Sequence, residues 1–161
     1  MLTAEKLREM LDYDPATGVF TWRAGRNNQV KEGQKAGSLD NKLYVRIWLN
    51  GRGYRAHRLA WLYVYGVWPL TEIDHINCIR GDNRIINLRA ATSLGNNANR
   101  QKKKNCSCVC KGVYKYRTKF RAQIRIGGKK TYIGTYSTEK EAHAAYVAAA
   151  EKEFGAFARA E

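Results

Sequence analysis

The chain has 161 residues, enough for one ordinary domain or two small ones. It carries 29 Lys plus Arg against 14 Asp plus Glu, a formal net charge of +15, and 44% of its residues are hydrophobic. The apolar content excludes a disordered tail. The charge favours a polyanionic partner, with nucleic acid ahead of a membrane surface.

The positive charge is concentrated in the second half of the sequence. No Asp or Glu occurs between Asp82 and Glu139. The cations in that interval are Arg84, Arg89, Arg100, Lys102, Lys103, Lys104, Lys111, Lys115, Arg117, Lys119, Arg121, Arg125, Lys129 and Lys130. A stretch with one sign of charge predicts a surface that binds a polyanion, in place of a mixed solvated surface.

The N-terminus and the cysteines favour a reducing cytoplasm. Residues 1–6 lack the apolar core of a secretory signal, and no apolar run approaches membrane-spanning length. Cys106, Cys108 and Cys110 alternate too tightly for a disulfide framework and differ from paired C-x-x-C zinc motifs. Redox sensing or metal binding by these three is a minor alternative, because a zinc site takes four ligands and no His is nearby in the sequence.

Residues 1–70 are predicted to form a scaffold. A short helix covers residues 4–11, and a Pro/Gly turn follows at residues 14–18. Alternating apolar residues on either side of Asn50-Gly51 predict a β-hairpin. A helix over residues 57–65 then ends at Gly66.

Residues 71–101 bring together the residue types that phosphodiester hydrolysis needs. The pattern predicts a strand at 72–76, a loop, a second strand at 87–90 and a helix from about residue 92. Asp74, His75, Asn87 and Asn96 supply a carboxylate, an imidazole and two carboxamides in this segment. A base near neutrality and hard oxygen ligands for a divalent metal are thus present. Adjacent Asp74 and His75 can share a site only if the strand twists or ends there.

Residues 102–110 are predicted to be a basic linker, and residues 111–161 a compact second module. In its main strand, one face is apolar and the other carries Lys119, Arg121, Gln123 and Arg125. Gly127-Gly128 predicts a tight turn into the next strand, and a capping box at residues 138–141 opens a helix that covers the apolar face. The uncovered cationic face has the width of a DNA major groove; a plain solvated face is the alternative.

The motifs resemble two known families. Ile73-Asp74-His75-Ile76-Asn77, Asp82-Asn83-Arg84, Asn87-Leu88-Arg89 and Ser93 to Asn96 resemble the HNH (ββα-metal) nuclease motif of homing-type endonucleases from phages. Tyr13 to Gly18, Trp22 and His57 to Trp61 resemble the N-terminal segment of the same family. Lys111-Gly112-Val113, Phe120 to Arg125, Ile133 to Tyr136 and Glu141 to Ala150 are similar to an AP2 DNA-binding domain.

The resemblance implies an α+β protein. A ββα-metal core with an N-terminal hairpin and helix scaffold is followed by a small three-stranded antiparallel sheet on one helix. It implies that His75 is the general base and that Asp74 and Asn96 bind Mg²⁺, with Mn²⁺ as a substitute. Asn87 would brace the loop that holds His75. The residues implied to contact DNA are Arg84, Arg89, Lys119, Arg121, Gln123 and Arg125.

Three residues outside this set receive other interpretations. Cys78 stands where the family often has a glycine, and Ile86 where it often has a glutamate. His57 is interpreted as a structural residue at a helix start ahead of a catalyst, because the site already has its base.

These patterns predict a metal-dependent endonuclease that nicks or cuts double-stranded DNA. A monomer is favoured, with no membrane association, in the cytoplasm (of the host cell if a phage encodes it). The alternative is a non-enzymatic DNA-binding regulator with a decayed nuclease motif. A third possibility, an RNA- or ribosome-associated protein, explains the charge alone. The presence of Asp74, His75, Asn87 and Asn96 together favours the enzyme.

Overall fold

The computed structural model describes residues 1–25, 30–100 and 108–159. The chain divides into two units, Met1–Ala91 and Thr92–Glu161. Both contain helices and small antiparallel sheets, which confirms a mixed α+β architecture. Among the helices described, none has the length and apolar character to cross a bilayer.

Among its described residues, the first unit contains two α-helices, a 3₁₀-helix (Ile85–Asn87) and three small sheets. Its elements are α1 (Ala4–Met10), β1 (Leu11–Asp14), β2 (Val19–Trp22), β3 (Ser38–Leu39), β4 (Val45–Leu49), β5 (Arg52–Arg55), α2 (Ala56–Tyr65), β6 (Glu72–His75) and β7 (Leu88–Ala91). The sheets are β1–β2, β3–β4–β5 and β6–β7, all antiparallel.

Local signals place the predicted helices and the central hairpin. Thr3 caps α1 by accepting a hydrogen bond from the Lys6 amide. Asn50 and Gly51 both have positive φ, 49° and 77°, as a two-residue type I′ turn requires. Gly66 ends α2 in the left-handed conformation, with φ of 76°. These three predictions from the sequence are confirmed.

A hairpin that the sequence did not predict lies between α1 and the central hairpin. The turn at residues 14–18 was expected, but the flanking strands β1 and β2 were not. The Asp14 carboxylate accepts hydrogen bonds from the Ala16 amide and the Thr17 hydroxyl, which closes the turn. The strands are only four residues long and follow α1 directly, so they give a weak periodic signal.

One apolar core holds the first unit together. Its largest fully buried side chains are Phe20, Leu7, Leu11, Ile47, Leu49, Leu59 and Leu62. Ile73 on β6 and Leu88 on β7 are 7% and 6% exposed and belong to the same core. The β6–β7 pair is therefore anchored to the scaffold, and this anchoring positions the residues discussed below.

In the part of the second unit that the structure describes, there are two α-helices, a 3₁₀-helix (Gly155–Phe157) and one four-stranded sheet. Its elements are α3 (Ser93–Ala98), β8 (Cys108–Cys110), β9 (Val113–Tyr116), β10 (Lys119–Ile126), β11 (Lys129–Tyr136) and α4 (Glu139–Phe154), with the sheet order β11–β10–β9–β8. The capping box of Thr138 and Glu141 is present. Ala122 and Ile124 on β10 are buried with Ala142 and Tyr146 on α4.

The sheet differs in one respect from the predicted three-stranded arrangement. A fourth strand, β8, pairs with β9 at the end of the segment interpreted as a linker. Three residues are too few to produce a strand signal in the sequence. Cys106 lies outside the described residues, and Cys110 is half-buried.

Candidate active site

Asp74 and His75 lie at the end of β6 and are each 5% exposed. In the antiparallel register, Asp74 is opposite Arg89 and His75 is opposite Leu88. The two adjacent side chains have different neighbours, as alternation along a strand requires. The strand ends at His75, whose carbonyl accepts the Cys78 amide hydrogen bond.

The carboxylate of Asp74 is held by an arginine. Arg89 Nε and one terminal nitrogen lie 2.9 Å and 2.8 Å from Asp74 Oδ2. The Asp74 side chain is 6% exposed and the Arg89 side chain 18%, so this charge-assisted pair is shielded from solvent. Arg89 was predicted to contact phosphate; in the structure two of its nitrogens already bind Asp74.

His75 is surrounded by two other rings and an amide. Its ring centroid lies 4.9 Å from that of His57, in an edge-to-face arrangement, and 6.0 Å from that of Tyr44. Its Nε2 lies 3.5 Å from Asn83 Oδ1. Burial lowers the pKa of His75, and the raising effects of Asn83 and Asp74 are smaller. The imidazole is therefore neutral at pH 7, as a general base must be.

The contact with Asn83 favours one tautomer of His75. Its Nδ2 donates to the Gly81 carbonyl at 3.1 Å, which directs Oδ1 toward His75. Because Oδ1 can only accept, this contact favours the tautomer of His75 that carries its proton on Nε2. The proton-accepting lone pair of the neutral ring is then on Nδ1.

Asn83 is in turn fixed by the unpredicted β1–β2 hairpin. Asn83 is 2% exposed, and its carbonyl accepts a hydrogen bond from the Tyr13 hydroxyl at 2.8 Å. Burial raises the pKa of Tyr13 to about 12, so the hydroxyl remains a donor. Gly18, with φ of 72°, allows the turn of this hairpin to pack against the backbone of Arg84. A Cβ at position 18 would lie 2.4 Å from the Arg84 backbone nitrogen. Sequence reasoning missed this support because Tyr13 and Asn83 are 70 residues apart.

His57 is the second buried histidine of the site, and its contact with His75 was also missed. It lies in the first turn of α2, is 4% exposed, and its Nδ1 has no hydrogen-bond partner among the described residues. Burial, with a smaller contribution from His75, lowers the pKa of His57 to about 3. The only sign in the sequence that His57 is buried was its position next to the apolar face of an amphipathic helix.

The loop from residue 76 to residue 87 is closed by side-chain amides. The Asn87 carboxamide accepts from the Asn77 backbone amide (3.0 Å) and donates to Asn77 Oδ1 (3.0 Å) and to the Asp82 carbonyl (2.9 Å). Its backbone carbonyl accepts the Ile76 amide. Asn87 is 7% exposed. It therefore ties both ends of the loop that follows His75.

Arg84 is paired within the same loop. Its Nε and a terminal nitrogen lie 2.8 Å and 2.6 Å from the two carboxylate oxygens of Asp82. This two-point pairing, the largest cause, lowers the pKa of Asp82 to about 2. The Arg84 side chain is 45% exposed. Its predicted contact with phosphate would thus be made by a guanidinium that Asp82 already orients.

Asn96, the predicted second metal ligand, belongs to the second unit. It lies on α3, which Thr92 caps by accepting from the Gly95 amide. The Asn96 amide donates to the Thr92 carbonyl at 2.9 Å, and the residue is half-buried. Asp74 belongs to the first unit, and the role of Asn96 as a ligand beside it stays a prediction of the sequence.

The predicted DNA-binding residues of β10 lie on the face that α4 leaves uncovered. Arg121 is held between two tyrosines, 3.9 Å from the Tyr116 ring centroid and 5.7 Å from that of Tyr132. Tyr132 is 58% exposed. Arg125 donates to the Gly128 carbonyl at 3.2 Å, and Gln123 is half-buried. Lys119 is exposed.

The donor chemistry suits a hard divalent cation at Asp74. Within the described ranges, no group of three or more His, Cys, Asp or Glu side chains is placed to hold a metal. The predicted pair of Asp74 and Asn96 is of another kind, one carboxylate and one carboxamide. Such oxygen donors match Mg²⁺ or Mn²⁺, which keep water molecules and bind substrate oxygens.

Comparison with known proteins identifies the segment that contains this site. Residues 54–98 match the model of the HNH endonuclease family. They run from β5 through α2, β6 and β7 to the end of α3. The prediction of an HNH endonuclease domain is therefore confirmed for this segment.

A particular homing endonuclease is similar to part of the chain. The solved structure described as "DNA binding and cleavage by the HNH homing endonuclease I-HmuI" matches with 23% identity and a TM-score of 0.42. The match covers 56% of this chain and 51% of that chain, so this chain spans about half of its length. No curated protein matches the chain.

Proposed function

We propose that the protein is a metal-dependent endonuclease of the HNH homing type that hydrolyses phosphodiester bonds in double-stranded DNA. One observation carries the proposal. His75 is a buried neutral imidazole, with one tautomer favoured by Asn83, inside the segment that matches the HNH endonuclease family. The net charge of +15 supports a polyanionic substrate.

In the proposed reaction, His75 Nδ1 accepts a proton from water. The resulting hydroxide attacks the phosphorus in line, an O–P bond forms, and the bond to the 3′ oxygen breaks. Burial helps because it disfavours the imidazolium before the substrate is bound. Asn83 helps because it keeps the basic nitrogen the same in every turnover.

Asp74 would hold the divalent cation, and Asn96 is the predicted second ligand. When bound, the cation supplies charge to stabilise the pentacovalent phosphate and the leaving oxygen. Since Arg89 already binds Asp74 Oδ2, it fixes the orientation of that carboxylate. We assign Mg²⁺ to this site, with Mn²⁺ as a substitute.

The remaining parts of the chain are proposed to support cleavage. Residues 1–70 would form the scaffold and 71–101 the nuclease core. Residues 102–110 would form a basic linker, whose last three residues add β8 to the sheet, and 111–161 an AP2-like DNA-binding module. The open face of β10 would contact DNA. The arrangement of an antiparallel sheet with one covered face supports this assignment.

The test is cleavage of supercoiled plasmid with Mg²⁺ and with EDTA, scored for nicked and linear products. We expect His75→Ala to reduce the Mg²⁺-dependent rate by about 10²- to 10⁴-fold, the usual contribution of a general base. DNA binding, measured by mobility shift, should be unchanged. The matched control is His143→Ala in the second unit, which should cleave at the normal rate. Undiminished cleavage by His75→Ala would sink the mechanism.

The second candidate is a DNA-binding regulator with an inactive nuclease motif. The same experiment separates the two functions. Normal binding with no cleavage by the unaltered protein in Mg²⁺ or Mn²⁺ would favour the regulator.

A further inference from the structure

A second concave site lies in the first unit, beside the candidate active site. It is a cleft of about 450 Å³. Its lining includes four arginines from three consecutive elements and two aromatic rings: Arg46, Arg52, Arg55, Arg58, Tyr54 and Trp68. This volume is in the range of small-molecule sites. Neither the predicted catalytic residues nor the predicted DNA-binding residues belong to it.

Two of the arginines are placed against each other in a way that favours an anion. Arg46 on β4 and Arg55 on β5 are directly opposite in the antiparallel register. Like charges at opposite positions destabilise a sheet. Asp40 compensates only partly, because its carboxylate lies 3.9 Å from Arg46 in a half-exposed pair. A bound anion between the guanidiniums would offset the remaining repulsion.

The aromatic part of the cleft is a flat stack. The rings of Tyr54 and Trp68 lie 5.8 Å apart with an interplanar angle of 23°. Trp68 is held in place by a hydrogen bond from Nε1 to the Leu2 carbonyl at 3.0 Å. Arg52 lies over Tyr54 at 5.6 Å, and Arg58 lies over Trp68 at 5.9 Å. The guanidiniums are thus held by the aromatic faces.

One residue, Tyr44, lies between the cleft and the predicted base His75. Arg55, which lines the cleft, lies 4.4 Å from the centroid of the Tyr44 ring. The centroid of the same ring is 6.0 Å from that of His75. Arg80, on the loop after β6, lies over Tyr44 at 5.1 Å. Arg55 and Arg80 therefore both pack on the aromatic ring that lies beside His75.

We propose that this cleft binds an unpaired nucleotide of the DNA strand, with the phosphate on the arginines and the base against Tyr54 and Trp68. Its identification as DNA rests on the proposed function. A phosphate together with a flat heteroaromatic ring matches both halves of the lining. The backbone of a duplex presents phosphates without exposed base faces, so it would leave the aromatic stack unused.

The test measures binding in EDTA, where no cleavage occurs, by fluorescence anisotropy of a labelled six-nucleotide thymidine strand. Arg52→Ala should weaken binding about tenfold, and its dependence on salt should fall by about 0.7 in log–log slope. Tyr54→Leu, which keeps an apolar side chain but removes the ring, should weaken binding about 5- to 100-fold. Arg52→Lys should recover part of the loss. Lys35→Ala, an exposed cation of the same unit, is the matched control and should change binding less than twofold.

Competitors identify the part of the ligand that each residue recognises. Thymidine 5′-monophosphate should displace the strand from the unaltered protein, and inorganic phosphate should do so more weakly. Tyr54→Leu should lose the preference for the nucleotide over inorganic phosphate. Equal losses in Arg52→Ala and Lys35→Ala would overturn the proposal. A loss of affinity for a duplex with unchanged affinity for the single strand would overturn it as well.

Plasmid cleavage is measured separately, so the two proposals can fail independently. If the unaltered protein cuts plasmid but Arg52→Ala and Tyr54→Leu bind the strand normally, the cleft proposal fails and the nuclease stands. If the protein does not cut and both variants lose strand binding, the cleft stands without the nuclease.

Discussion

Asp74, His75 and Asn83 in the first unit are between 2% and 5% exposed, whereas Tyr132 on the open sheet face of the second unit is 58% exposed. The first group is held on several sides by hydrogen bonds and an ion pair. On the sheet face, Arg121 is held mainly by the rings of Tyr116 and Tyr132.

The difference in burial matches the two proposed functions, proton transfer in the first unit and DNA binding in the second. A general base needs a low local polarity, which burial provides. It also needs a fixed tautomer, which the amide side chains of the loop support. A surface that tracks phosphates needs charge and reach, and it tolerates movement. Substitutions in the first unit should therefore change the rate of cleavage and the stability, while substitutions on the sheet face should change affinity.

Among substitutions that leave the proposed base and metal ligands in place, the largest effect should come from Asn83→Ala. Removing Oδ1 leaves His75 Nε2 without its acceptor, so the tautomer is no longer fixed; we expect cleavage to fall about 10- to 100-fold, as for other residues that orient a reactive histidine. The measurement is the single-turnover rate of plasmid nicking in Mg²⁺. Tyr13→Phe, which removes only the hydrogen bond to the Asn83 carbonyl, should lower the rate by a smaller factor. If Asn83→Ala kept the full rate, the buried site would not set the tautomer.

The dependence of stability on pH should distinguish the buried histidines from an exposed site. His57 has a pKa of about 3 when folded and about 6.5 when unfolded. Its contribution is complete above pH 6.5 and is lost as the pH falls toward 3, because the unfolded chain then binds a proton that the folded one does not. At pH 5, 1.5 pH units below 6.5, the loss is about 2 kcal/mol.

His57→Phe isolates this contribution, since it retains an aromatic ring against His75. Urea unfolding at pH 7.5 and at pH 5 should show a smaller loss of unfolding free energy for the variant, by about 2 kcal/mol. The remaining pH dependence, including that of His75, is common to both proteins. Identical losses of unfolding free energy in the two proteins would mean that water reaches His57 in the folded state.

On the sheet face, Arg121→Ala and Arg125→Ala should weaken duplex binding without changing the fold. We expect about a tenfold loss for each and a decrease of about 1 in the salt slope, as for removal of a phosphate contact. Anisotropy titrations at several salt concentrations measure both quantities. Lys140→Ala on α4 is the control, because that residue lies on the helix and not on the sheet face. Unchanged affinity in both arginine variants would refute the docking face.

The elements that the sequence predicted best are those specified by adjacent residues. Asn50-Gly51 defines its hairpin and Thr138 with Glu141 defines the start of α4, because the interactions span two to four positions. The chemistry of Asp74 and His75 was likewise visible as residue types in one segment. The sequence did not predict which side chains surround Asp74 and His75.

Those surroundings depend on contacts between distant positions. His57 meets His75 only because α2 and β6 pack on one core, and Tyr13 meets Asn83 across 70 residues. The stacking of Arg121 between Tyr116 and Tyr132 depends on a register that shifts at a bulge after Ala122. Periodicity predicts which face a side chain occupies, but it does not predict the neighbour from another strand.

The smallest predicted effect concerns backbone conformation in the loop of the first unit. Cys78 has a φ of 61°, the left-handed region that glycine adopts without strain, and it stands where the resembled family often has glycine. Relief of this strain, about 1 to 2 kcal/mol, is partly cancelled by the greater freedom of glycine in the unfolded chain. We therefore expect Cys78→Gly to raise the unfolding free energy by up to about 1 kcal/mol, with cleavage unchanged. Cys78→Ala keeps a Cβ in the same conformation, so it should give no gain in urea unfolding. Equal stability of the two variants would show that the loop around the site has no strain to release at this position.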